Sequence, residues 1–115
     1  DFRVFVGSES FLLANMRNGG AGCISATANV NPAAIARLNR DWAADDADAQ
    51  QSALDAIRET VMEFPMIPAL KATVAHFAGD PDWRTVRPPL VALDDDAAGA
   101  LIDALEAKGF SMPGL

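Results

Sequence analysis

The run from Gly19 to Pro32, Gly-Gly-Ala-Gly-Cys-Ile-Ser-Ala-Thr-Ala-Asn-Val-Asn-Pro, restricts this chain more than any other stretch. Its centre, Cys23-Ile24-Ser25-Ala26-Thr27, is short and almost continuously small and apolar. That pattern predicts a parallel strand covered on both faces rather than one facing solvent. Glycines precede it, and Asn31-Pro32 starts a helix behind it, with proline at the first helical position. A second buried strand is expected over Arg3 to Val6, a β-branched and aromatic run closed by Gly7. One helix fits between them: Ser8 or Ser10 caps it, Phe11, Leu12, Ala14 and Met16 supply its apolar surface, and Asn18-Gly19-Gly20 stops it. Strand, helix, strand in this order forces a right-handed parallel crossover, which needs helical cover. In α/β barrels such a strand end opens onto the functional face, so Ser25 to Asn31 is expected to form a mouth rather than a base.

From Asn31 onward the apolar period changes from two to about 3.6. Ile35, Leu38 and Trp42 form one stripe of a helix ending near Ala44. Asp45, Asp46 and Asp48 then place negative charge at the start of the next helix, which suits its dipole. Ala53, Leu54, Ile57, Val61 and Phe64 make the buried stripe of that helix, and Pro65 ends it. A third helix is expected after Pro68, carrying Leu70, Val74 and Phe77 as far as Gly79. Asp80 to Pro89 reads as an ordered loop pinned by Trp83 and Val86. The last helix has Asp94 as cap, Ala98, Leu101, Ile102 and Leu105 on one face, and Gly109 then Phe110 after it. Two strands do not form a sheet that buries itself. The expected fold class is therefore α/β, mostly α by content. Residues 1–45 read as the last two strand-helix units of a larger parallel protein, and residues 46–115 as a helical extension. The strand-like opening without an initiator Met fits a chain that begins mid-fold.

Charge and single residues narrow the function classes. Nine Lys and Arg are scattered among sixteen Asp and Glu, for a net charge of -7, so neither nucleic acid nor an anionic membrane is an expected partner. No run of about eighteen apolar residues offers a membrane span, and no signal core opens the chain. One cysteine, Cys23, gives no internal disulfide, and a cytoplasmic location is expected. His76 has no Cys or second His at ligand spacing, and Asp94, Asp95 and Asp96 lack the glycine and distal glutamate of a calcium loop, so no metal is expected. Cys23 reads as a small hydrophobe. Lys71, in mid-helix with no acid or base at a useful spacing, reads as a snorkelling surface lysine rather than a nucleophile.

Ser25-Ala26-Thr27-Ala28-Asn29-Val30 resembles the Ser-Val-Thr-Ala-Asn-Val at the last barrel strand of dihydrodipicolinate synthases, and Val6-Gly7-Ser8-Glu9 is similar to the end of that family's preceding strand. Ile67-Pro68-Ala69-Leu70-Lys71-Ala72 and Arg87-Pro88-Pro89-Leu90-Val91-Ala92-Leu93 resemble its tail. The family includes N-acetylneuraminate lyases and other class I pyruvate-type aldolases. The resemblance implies a TIM barrel of roughly 250 residues with a C-terminal helical domain, of which this chain holds the last two strand-helix units and a three-helix extension. It implies a Schiff base between a lysine on the sixth strand and a 2-keto acid such as pyruvate, with a tyrosine relaying protons. Both groups would lie upstream, so no catalytic residue is expected in this chain, and the isolated chain is expected to be inactive. The resemblance places Ile24 against the keto acid, with Ser25 beside it, and Gly7, Ser8 and Glu9 on the loop that meets an aldehyde-type second substrate. Plain core and helix capping are the other readings of these residues. No cofactor is implied; the rest of its own barrel and a homotetramer are the implied partners. Ser8 and Glu9 depart from the Asp usual in the synthases, and Glu9-Ser10 and Ala26 depart from the sialic-acid lyases, which leaves the second substrate open. A non-catalytic acidic helical interaction module is the alternative.

Overall fold

The two β-branched and glycine-bounded segments do form strands, but short ones. In the computed structural model, which describes residues 2–115, β1 (Phe5–Val6) and β2 (Gly22–Cys23) pair in parallel, with Phe5 opposite Gly22 and Val6 opposite Cys23. The ladder is extended at either end by Ala21 N–H to Val4 O (2.8 Å) and Ile24 N–H to Val6 O (2.9 Å). Contacts divide the chain into two compact units, residues up to Ala56 and Ile57–Leu115.

In the first unit the crossover between the strands is a 3-10 turn, Glu9–Phe11, running into helix α1 (Leu12–Arg17). The Ser8 hydroxyl caps the turn by accepting from Ser10 N–H at 3.2 Å. Asn15 ties this helix to both strands, because its Nδ2 donates to Val4 O (3.1 Å) and to Gly22 O (3.0 Å). The glycines around β2 are there for space and conformation. A Cβ on Gly20 would lie 2.2 Å from the Asn15 side chain, and Gly22 has φ +152, where L side chains are strained. Behind β2 comes a second 3-10 turn, Ala26–Asn29, then α2 (Pro32–Asp41) with its proline in the first turn. Leu12, Leu13, Ile35, Leu38, Ala47 and Leu54 form the core, with Met16, Cys23, Ala28 and Ala34 packed against it.

The last helix of the first unit, α3 (Ala47–Met62), continues across the division. In the second unit α4 (Met66–Ala78) and α5 (Asp95–Glu106) pack with a 3-10 turn, Pro81–Arg84. Gly79 closes α4 in the left-handed region at φ +66, with Asp80 N–H returning to Ala75 O at 3.1 Å. The Asp94 carboxylate caps α5 by accepting from Ala97 N–H at 2.8 Å. Buried Leu101, Ile102 and Leu105 face the helices of this unit, and Phe110 packs edge-on against Phe77.

Several expectations need correction. The strand expected over Cys23 to Thr27 pairs only as far as Cys23 and yields to a 3-10 turn at Ala26. Within this chain alone Phe5 is 50% exposed, and Ile24, just past β2, is 75% exposed. Phe11 is exposed and Leu13 takes its place in the core, because the 3-10 turn changes the helical phase before α1 begins. Helix α2 stops at Asp41, short of Ala44, and Ala53 faces solvent. Helix α4 starts at Met66, ahead of Pro68, because a proline in the first turn forfeits no helical hydrogen bond. Trp83 is half exposed, with Lys71 Nζ 5.5 Å from its ring centroid.

Candidate functional site

Parallel strands put their C-terminal ends at one edge of the sheet, so Gly7, Ser8 and Glu9 after β1 lie beside Ile24, Ser25 and Thr27 after β2. Gly7 is exposed, with open space where a Cβ would stand. Ser8 is half-buried and engaged as a cap. Ile24 presents its side chain outward at this edge. Successive residues of an extended segment alternate faces. Ser25 is extended (φ -130, ψ 145) and Cys23 is part of β2, so both turn toward the helices while Ile24 turns the other way.

Glu9 is the chemical centre of the helix side. It is 2% exposed, and its carboxylate accepts from the hydroxyls of both Ser25 and Thr27, which is itself 0% exposed. The two hydroxyl oxygens lie 3.1 Å apart. A buried carboxylate is tolerated only when such donors replace its water. Gln51 of α3 reinforces the arrangement: its Nε2 donates to Glu9 O (3.0 Å) and to Asp55 Oδ1 (3.1 Å), and its Oε1 accepts from Leu13 N–H (3.1 Å). Cys23 feels the same carboxylate. Burial pushes its thiol up first, and the negative charge of Glu9 adds to the rise.

The structure thus brings the five residues singled out in the sequence to one sheet edge, in two layers. Gly7 and Ile24 are open to the outside, Glu9 is buried, and Ser8 and Ser25 lie between. Sequence reading missed Thr27 and Gln51. Thr27 had one available signal, since it stands two positions beyond Ser25. Gln51 had none, because its partners outside its own helix lie 38 and 42 residues away. Lys71 at Trp83 and His76, with Nε2 3.5 Å from Glu106 Oε1, were also weighed in the sequence and belong to the second unit, as does Lys108, exposed beyond α5. Among the described residues no three His, Cys, Asp or Glu side chains gather as a metal site would require, and no helix is long and apolar enough to cross a membrane.

Known proteins are similar to this chain in sequence and in fold. The sequence model of the dihydrodipicolinate synthetase family matches residues 1–108. The 4-hydroxy-tetrahydrodipicolinate synthase of Gluconacetobacter diazotrophicus is 30% identical over 113 residues, covering 94% of this chain and 37% of that protein. The crystal structure of dihydrodipicolinate synthase from Agrobacterium tumefaciens superposes with a TM-score of 0.75 at 30% identity, over 93% of this chain and 35% of that one. A Sulfolobus 2-keto-3-deoxygluconate aldolase in complex with D-KDPG shares the fold, with a TM-score of 0.81 at 24% identity over 90% of this chain and 36% of its own. The chain therefore spans little more than a third of the length of these relatives.

Proposed function

Because this chain belongs to the dihydrodipicolinate synthetase family, we propose that it is the C-terminal part of a Schiff-base-forming lyase or aldolase acting on pyruvate or a related 2-keto acid. Residues 1–45 then supply the seventh and eighth strand-helix units of a TIM barrel, and residues 46–115 a helical extension that contributes assembly surface to a homotetramer. The nucleophilic lysine and the proton-relaying tyrosine come from outside this chain, which contains no tyrosine. Gly7, Ser8, Glu9, Ile24 and Ser25 build one wall of the pocket. One observation carries this reading: two parallel strand ends gather these five residues at a single edge and leave Ile24 75% exposed there.

The chemistry assigned to the wall follows from its surface. A 2-keto acid joined to a lysine as an iminium withdraws electrons from the neighbouring carbon, so a carbon-carbon bond at that carbon forms or breaks through an enamine. Water at the imine carbon reverses the linkage, and an apolar side chain such as Ile24 excludes it. Gly7, having no side chain, leaves room for the second substrate to approach the backbone.

Intact mass after treatment with pyruvate and borohydride tests the reading. Reduction turns the imine into a secondary amine and traps the adduct. A longer polypeptide carrying the upstream units is expected to gain one reduced pyruvate, and the 115-residue chain none. An adduct on the short chain would make Lys71 or Lys108 reactive and overturn the assignment. If neither polypeptide reacts, the pyruvate chemistry falls and the acidic interaction module becomes the better account.

A further inference from the structure

We propose that Glu9 is a positioning residue that acts from behind the wall, through Ser25 and Thr27, and does not itself touch a ligand. The first ground is burial. Glu9 is 2% exposed with only this chain around it, and any polypeptide packed against these residues lowers that figure further. A pocket surface that included the Glu9 carboxylate would require the site to be rebuilt. The second ground is bonding. Ser25 and Thr27, 16 and 18 residues away, both donate to the carboxylate, so its oxygens are occupied by hydroxyls of the β2 exit. The third is direction. Glu9 engages Ser25 and raises the thiol of Cys23, the two residues on the helix side of β2, whereas Ile24 between them faces the opposite way.

The result is a link between three elements. Gln51 of α3 holds the Glu9 backbone, and Glu9 holds the turn after β2. Fixing Ser25 and Thr27 fixes the backbone on either side of Ala26 and thereby sets how far Ile24 projects. The carboxylate suits this task better than a neutral group, since it accepts two hydroxyl protons at once. This inference refines the part played by one wall residue in the proposed function, yet its structural content stands without the pyruvate chemistry.

Carbodiimide coupling of an amine to carboxylates of the full chain, mapped by mass spectrometry, reads the burial directly and needs no substitution. Glu9 is expected to stay unlabelled under conditions that label exposed Asp45 and Glu59; labelling of Glu9 at their rate would overturn the proposal. Glu9→Gln removes the charge at nearly constant shape. It is expected to shift the pH profile of Cys23 alkylation downward and to lower the hydrogen-exchange protection of Ser25 to Val30 amides. Merely filling space would not move the thiol profile, so an unchanged profile refutes the assigned charge. Should Glu9→Gln fail to fold, Thr27→Val gives the same reading of the turn: exchange must speed up at Ser25 to Val30, and unchanged exchange there refutes the link. Failure of pyruvate trapping would leave all three outcomes intact, which separates this inference from the function proposed for the whole protein.

Discussion

Thr27 offers the sharpest quantitative test of the buried cluster. Its side chain is 0% exposed and donates to Glu9, while its carbonyl accepts from Val30 N–H (3.0 Å) and Asn31 N–H (2.9 Å). Thr27→Val keeps shape and backbone bonds and deletes only the hydroxyl. A hydrogen bond to a charged group contributes about 1.5–3 kcal/mol, and the buried carboxylate is left one donor short. Thr27→Ser keeps the hydroxyl and deletes one methyl, which costs about 1 kcal/mol. Valine, the more hydrophobic residue, is therefore expected to be the more harmful one. With a urea dependence of about 2 kcal/mol/M for a chain of this size, the midpoint should fall by about 1 M for valine and about half that for serine. Trp42 lies in the first unit and Trp83 in the second, so Trp42 fluorescence in a Trp83→Phe background reports the relevant unit. A serine variant as unstable as the valine variant, or less stable, would refute the reasoning, since apolar packing would then outweigh the bond to Glu9.

Other expectations address separate features. Asp94→Ala removes the cap that accepts from Ala97 N–H at 2.8 Å and should cost about 1 kcal/mol, with Asp94→Asn recovering most of it, as read by urea unfolding followed at Trp83. Arg17 grips Asp48 with both guanidinium nitrogens, at 2.9 and 2.7 Å, and its hydrogen bond holds the Asp48 carboxyl below its ordinary value. The folded value thus lies under the unfolded one near about 3.9, so whatever this exposed pair contributes is complete above that pH and is lost as pH falls through the folded value. In a carboxyl carbon NMR titration, Arg17→Gln should raise the Asp48 midpoint; no movement would show that the pair does not persist in solution. Ile24→Ala should change the stability of the chain by no more than about 0.5 kcal/mol in the same urea assay, because the side chain is 75% exposed.

What the sequence revealed was whatever depends on near neighbours. Helix α5 was legible to the residue at its start, since Asp94 caps it locally, but it ends at Glu106, short of the Gly109 that adopts φ +72 before buried Phe110. The parallel crossover was legible from two apolar runs flanking one helix. Strand length was not. Ala26 to Asn29 has few strong strand formers, and Asn29 Nδ2 donates back to Ala26 O at 2.8 Å, so local hydrogen bonding bends the chain into a 3-10 turn. Phe11 misled because a 3-10 start rotates the apolar face. Glu9 was singled out in the sequence, but its bonds to Ser25 and Thr27 span 16 and 18 residues and leave no periodic trace there.

The two layers of this sheet edge separate holding from shaping. Period two along the exit of β2 sends Cys23 and Ser25 to the helix side and Ile24 to the other, and a slip of one residue would exchange them. Such a slip would carry Ser25 away from Glu9 and bring an isoleucine against a buried carboxylate, so the register is defended by the cost of an unsatisfied charge rather than by anything Ile24 touches. Asn15 adds a second lock by bonding to Val4 O just before β1 and to Gly22 O in β2. Because these locks lie behind the strands, the outward residue is released from structural duty. Position 24 is accordingly where a change of side chain alters the exposed sheet edge at least cost to the fold, whereas positions 9, 25 and 27 change the fold before they change that edge.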